Sequence, residues 1–129
     1  VLKDFGNALP CMVIETHTHR EALDSTKQNV LVATILYDTI TKQIVNFCVL
    51  LLFKTKDGAI HEVIKFDFSH SCYNVHRYYL GHSMRQEKRD IIISPDLFRE
   101  VKKDVRQNWQ GYTLTYCMRH LPQELLDKH

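Results

Sequence analysis

Two β-rich runs flank a single turn signal in the middle of the chain: "QIVNFCVLLLF", then "KTKDG", then "AIHEVIKFDF". Asp57-Gly58 is a strong hairpin signal, because glycine reaches the positive φ that such turns demand without steric cost. The runs beside it are dense in Val, Ile and Phe, which fit a pleated, half-buried surface. This pattern predicts an antiparallel pair, Ile44 to Lys54 and Ile60 to Phe68. The apolar stretch Ile44 to Phe53 is about half the ~20 residues that a helix needs to cross a bilayer. It reads as a core strand, and no membrane association is expected. On the second strand of the pair, alternation puts His61, Val63, Lys65 and Asp67 on one face and Glu62, Ile64, Phe66 and Phe68 on the other.

The flanking segments extend this pair into a sheet. "PCMVIETHTHR" reads as a first strand, with Cys11 and Val13 on one face and Met12 and Ile14 on the other. "EALDSTKQN" is a polar loop or helical turn, "VLVATILYD" a second strand, and "TITKQ" the turn into the third. "NVHRYYL" pairs back as a short fifth strand, and Ile91 to Ile93 read as an edge strand. Ser94 then stands as N-cap before Pro95 at the first helical position and Asp96 in the first turn. Leu97, Val101, Val105, Trp109, Tyr112 and Tyr116 recur at helical spacing and predict one long helix. Gly111 costs this helix about 1 kcal/mol. In the alternative, Gly111 ends the helix and "YTLTYCM" forms a strand. The expected architecture is α+β: an antiparallel meander of five to six strands with a long C-terminal helix on one face.

The chain of 129 residues reads as a single domain, 1–129, since it carries no repeat, linker or low-complexity tract. Its composition, 44% hydrophobic and 25% charged, is that of a soluble globular protein. Cys11, Cys48, Cys72 and Cys117 lie far apart without a C-x-x-C pair, which argues against a zinc ribbon. With no signal-like N-terminus, they are expected to be reduced thiols in a cytoplasmic protein. The glycines are scattered, so no phosphate-binding loop is present and nucleotide-cofactor enzymes are disfavoured. Net charge is only +2, yet residues 77 to 106 hold eight Lys/Arg against five Asp/Glu. Eight histidines add a pH-dependent reserve of positive charge.

Three constellations could carry chemistry. The first is Asp67, His70, His76 and Arg77, gathered where the fourth strand turns into the fifth. A histidine oriented by a carboxylate is the basic unit of acid–base catalysis near neutral pH. Arg77 offers a planar fork for phosphate, although it neighbours His76 and shares a face with it only if the strand bulges or ends there. The structural alternative is a hairpin end with surface histidines. The second is the "THTH" stretch: His17 and His19 share a strand face, and His61 or Asp67 could supply a third ligand to a divalent metal. No cofactor is otherwise expected. The third is a basic stripe, Arg99, Lys102, Lys103 and Arg106, at helical spacing, preceded by Arg85, Lys88 and Arg89. Together they could track a phosphate backbone while Tyr73, Tyr78 or Tyr79 stack on unpaired bases. A solvated helix face and two solvated histidines are the plain accounts of these last two.

The stretch "DGAIHEVIKFDFSH" followed by "VHRYYLG" resembles the central segment of small TumE-type toxins and allied bacterial and archaeal domains. There a strand after a D-G hairpin ends in an aromatic–Asp pair and a histidine-bearing turn. Members often carry two closely spaced histidines where this chain has only His76. The resemblance maps the family pattern onto Asp67, His70 and His76. It implies action on RNA or the translation apparatus, with an antitoxin-like partner protein. The expected function is therefore a His/Asp/Arg site that binds or cleaves RNA or another phosphorylated ligand. In a metal-independent ribonuclease, His76 would be the base, His70 the acid, Asp67 the orienting group, and Arg77 the stabiliser of phosphate charge. A non-catalytic, protein-binding or homodimeric module is the alternative.

Overall fold

The computed structural model describes residues 13–69 and 72–121. Six strands, β1 (Ile14–Ala22), β2 (Asn29–Asp38), β3 (Gln43–Lys54), β4 (Ile60–Ser69), β5 (Cys72–Arg77) and β6 (Gln86–Arg89), precede one helix, α1 (Pro95–His120). The strands form one antiparallel sheet in chain order, a six-stranded meander. The helix lies across one face, over β2, β3 and β4. This is the expected α+β architecture.

The β3–β4 hairpin turns where the sequence signals it. Gly58 adopts φ +93°, its N–H donates to the Thr55 carbonyl at 3.0 Å, and Thr55 N–H donates to the Ala59 carbonyl at 2.9 Å. The Asp57 carboxylate braces the turn by accepting from the Thr55 hydroxyl and from the Ala59 N–H. Odd-numbered residues of β3 (Phe47, Val49, Leu51 and Phe53) point toward the helix and form the core with Leu31, Ala33, Ile64, Phe66, Phe68, Tyr73 and Val75. Phe47 is the aromatic hub, with ring centroids 5.5 Å from Phe68 and 5.3 Å from Phe98. Burying each such side chain contributes about 1.5–3 kcal/mol, which is why the pattern dictates which face the helix covers.

A register shift at Leu51/Leu52 corrects the predicted faces of β4. Leu51 pairs with Ile64 but Leu52 with Glu62, so Val63 is an extra residue. A bulge of this kind reverses the alternation across it. His61 therefore joins Ile64, Phe66 and Phe68 on the helix side, where its Nδ1 lies 3.2 Å from the Tyr116 hydroxyl. Glu62 joins Lys65 and Asp67 on the opposite face.

The edge of the sheet also differs from expectation. The sixth strand is the charged "QEKR", and Ile91 to Ile93 are not a strand. Once Gln86 to Arg89 occupy the outer edge of β5, the isoleucines lead into the helix. Ile91 and Ile93 pack on the core and Ile92 is exposed. Charged side chains on β6, and on the solvated β1, suit edge strands because they discourage pairing with other chains. The first strand is described from Ile14; Cys11 and Met12 lie outside the described residues.

Helix α1 begins as its sequence dictates: the Ser94 hydroxyl accepts from Leu97 N–H at 3.0 Å, and Pro95 takes the first helical position. It passes through Gly111 unbroken, so "YTLTYCM" is helical. Phe98, Val101, Val105, Thr113 and Cys117 form the buried line. Leu97, Trp109, Tyr112 and Tyr116 flank it, half-buried.

Candidate functional site

On the face of the sheet turned away from the helix, β4 and β5 set four polar side chains side by side. Lys65 pairs with His76 and Asp67 with Asn74 in the strand register. The Asp67 carboxylate accepts from Asn74 Nδ2 at 3.2 Å. Its other oxygen lies 3.8 Å from both His76 Nε2 and Lys65 Nζ. Alternation explains this grouping, since the flanking Phe66, Phe68, Tyr73 and Val75 are drawn into the core and push their neighbours to the other side. The side chains are mostly shielded, with His76 20% and Asp67 19% exposed.

That shielding sets the protonation states. Burial lowers the His76 pKa below its ordinary 6.5; Asp67 and Glu62 pull it up, Lys65 pushes it down, and the balance stays low. His76 is thus a neutral imidazole at pH 7, able to accept a proton. For Lys65, desolvation acts downward, but Tyr78, Asp67 and Glu62 together outweigh it and hold the ammonium charged. The Cys48 thiol on this face is raised by burial and then by Asp67, so it remains protonated and is no nucleophile.

Beside this cluster, the Tyr78 ring stacks near His76, with centroids 5.9 Å apart and planes 13° apart. The Arg85 guanidinium lies 5.6 Å from the same ring centroid. Base, carboxylate, ammonium, guanidinium and an aromatic plane are thereby contiguous. Such a set can accept a proton, hold an anion and stack a flat ring.

The other expected site residues divide. His70 lies outside the described residues. Arg77, expected to stabilise phosphate charge beside His76, points to the helix side and pairs with Glu87 at 2.6 Å. The strand is regular there, so consecutive side chains diverge, and Lys65 is the cation beside Asp67 and His76. Tyr79 also diverges from Tyr78: it stacks on Tyr112 of the helix, centroids 5.3 Å apart. The basic stripe sits on the helix, across the sheet from His76, so the two cannot form one continuous surface. Its charge is also partly matched, since Arg99 pairs with Asp96, Arg106 with Glu21, and Lys102 sits 4.4 Å from the Phe98 ring centroid. Lys103 is exposed.

His17, His19 and His61 do not meet. His17 and His19 lie on β1, where each faces a glutamate, Glu15 at 3.1 Å and Glu21 at 3.5 Å. His61 is on β4, and with β2 and β3 between them the strands stand about 14 Å apart. Among the described residues, no group of three or more His, Cys, Asp or Glu side chains could hold a metal ion. No described helix is long and apolar enough to cross a membrane.

Sequence reasoning missed Lys65 and Asn74 as parts of the site, and placed Arg85 with the basic stripe and not beside His76. Lys65 was legible, because strand alternation already put it on the face of Asp67. Comparison with protein-family models, with curated proteins and with solved structures finds no match.

Proposed function

We propose that this domain binds single-stranded RNA, or another phosphorylated ligand, at the His76–Asp67–Lys65 cluster and cleaves it without a metal. The observation that carries this reading is the neutral, shielded His76 imidazole 3.8 Å from a carboxylate that an ammonium also touches, beside the half-buried Tyr78 ring that stacks on it. His76 takes the proton of a ribose 2′-hydroxyl, whose oxygen attacks the neighbouring phosphorus as the bond to the 5′-oxygen breaks. Lys65 offsets the negative charge that develops on the phosphoryl oxygens, and Asp67 stabilises the imidazolium formed. Tyr78 stacks a base. The leaving 5′-oxygen takes its proton from the acid of the pair, His70, which lies outside the described residues. The resemblance over Asp57 to Gly81 supports extending this reading to a cytoplasmic toxin held by an antitoxin-like protein.

Labelled RNA incubated with wild type, His76→Ala and Lys65→Met, with and without EDTA, tests the activity. Loss of cleavage of about 10²-fold or more in His76→Ala, unchanged by EDTA, is expected of a general base. Equal cleavage by mutant and wild type would mark a contaminant and end the enzyme claim.

A second reading, a protein-binding or self-associating module, is favoured by one observation. Val30, Leu36, Leu50 and Leu52, half-buried, line the face turned from the helix around the buried Val32, and no described element packs over them. Sedimentation of wild type beside Leu50→Glu tests it; a single monomeric species in both would remove self-association.

A further inference from the structure

Past Tyr78, where β4 begins and α1 ends, the sheet closes on a cleft of about 390 Å³ lined by His61, Glu62, Tyr78, Arg85, Tyr116 and His120, among others. Its volume is in the range of small-ligand sites. Tyr78 and Arg85 also border the His76 cluster and Glu62 acts on its charge, whereas His61, Tyr116 and His120 lie apart from it.

Arg85 gives the cleft its character. Among the described residues it forms no ion pair, and its Nε is buried without a hydrogen-bond partner. Its guanidinium is held by the Tyr78 ring instead of a carboxylate. A buried Nε–H short of an acceptor is costly, while the side chain as a whole is only half-buried and open to an anion. A guanidinium also matches the paired oxygens of a phosphate as a fork.

The neighbours extend the same chemistry. His120 Nε2 lies 2.9 Å from the Tyr78 carbonyl oxygen, which can only accept, so Nε2 carries the hydrogen and Nδ1 remains for other contacts. His61 engages Tyr116 through Nδ1 and leaves its Nε2 uncommitted. The Tyr116 and His120 rings pack 4.8 Å apart, so the cleft also has flat aromatic walls. Glu62 is the carboxylate named among the lining groups; it is exposed, and its field also acts on Lys65 and His76.

We infer that this cleft, which adjoins the His76 cluster and shares Tyr78 with it, binds a nucleoside monophosphate, with Arg85 gripping the phosphate and Tyr78 and Tyr116 bounding the base. The inference does not require cleavage of RNA at His76, and it holds if that activity is absent.

Nitrogen-15 NMR of the full chain tests it through the Arg85 side-chain Nε–H signal, titrated with adenosine monophosphate, with inorganic phosphate and with adenosine. The monophosphate should shift that signal and bind more tightly than either fragment. Arg85→Gln should weaken it by about 10- to 100-fold, the range of a charge-assisted contact. Asp67→Asn, which removes the carboxylate of the His76 cluster and leaves the Tyr78 ring stacked, should bind it as wild type does, which distinguishes this cleft from the proposed catalytic chemistry. An unshifted Arg85 signal, or wild-type affinity in Arg85→Gln, overturns the inference. Phosphate binding as tightly as the nucleotide overturns the base contact. If Arg85→Gln fails to fold, the wild-type Arg85 signal and Arg85→Lys, which keeps charge but loses the fork, decide the matter.

Discussion

The His76 imidazole approaches the Asp67 carboxylate to 3.8 Å, beyond hydrogen-bond length but within reach of its charge. Lys65 meets the same oxygen at the same distance. The histidine therefore sits between one group that favours its protonation and another that opposes it, in surroundings that exclude much of the water. Its protonation state is a property of the trio.

Removing either neighbour should move the His76 titration in a defined direction. In Asp67→Asn the carboxylate's upward pull is lost, and His76 should titrate at lower pH than in wild type. In Lys65→Met the downward push is lost, and it should titrate higher. NMR of the imidazole resonances across the acid range measures both, and movement in the same direction would refute the arrangement.

Stability should follow the same group. The folded pKa of His76 lies below its unfolded value of about 6.5, so its contribution is complete above that pH and is lost as pH falls through the folded value. Glu87 acts lower still. Its hydrogen bonds from Arg89 and then Arg77, each 2.6 Å, bring its pKa down to about 2. Its contribution is present above about 4.5 and disappears as pH falls toward 2. The group is partly exposed and solvent-screened, so the effect should be small. Thermal melts of Glu87→Gln and wild type should converge in acid and separate near neutrality.

The helix is tied to the sheet by one buried polar contact, Thr113 Oγ1 to Asn29 Oδ1 at 2.7 Å, while Asn29 Nδ2 donates to Asp24 at 2.8 Å. Thr113→Val keeps the shape but leaves the Asn29 oxygen buried and unpaired. Denaturant unfolding should show a loss of about 1–3 kcal/mol. An unchanged midpoint would mean that the contact is not formed in solution.

Two glycines should respond oppositely to alanine. Gly111 lies in the helix without a positive φ, and a Cβ there meets nothing within 4 Å. Gly111→Ala should stabilise the fold by about 0.5–1 kcal/mol. Gly58 also has open space but sits at φ +93°, so alanine there is strained and should destabilise. Parallel thermal melts of the two variants test the contrast.

Local patterns determined most of the architecture by themselves. Asp57-Gly58 specified the hairpin, the apolar alternation of β3 specified its buried face, and Ser94-Pro95 specified where the helix begins. Each is a short-range signal, because turn geometry, pleat and capping involve residues a few positions apart. Strand adjacency followed from the meander, and with it the meeting of Asp67 and His76. What the tertiary structure decided are matters of pairing between distant segments. The extra residue at Val63, which moves His61 to the helix side and Glu62 to the open face, depends on how β3 and β4 register across Leu51 and Leu52. Arg77 was drawn to the helix side by strand regularity and finds Glu87 only because β6 folds back beside β5. Arg85 reaches Tyr78 because the turn at His82–Met84 folds the chain back, with Arg77 N–H donating to the Arg85 carbonyl at 2.6 Å. Sequence periodicity records which way a side chain leaves its own backbone; which groups it meets is set by long-range packing, where the bulk of the apolar surface is removed from water.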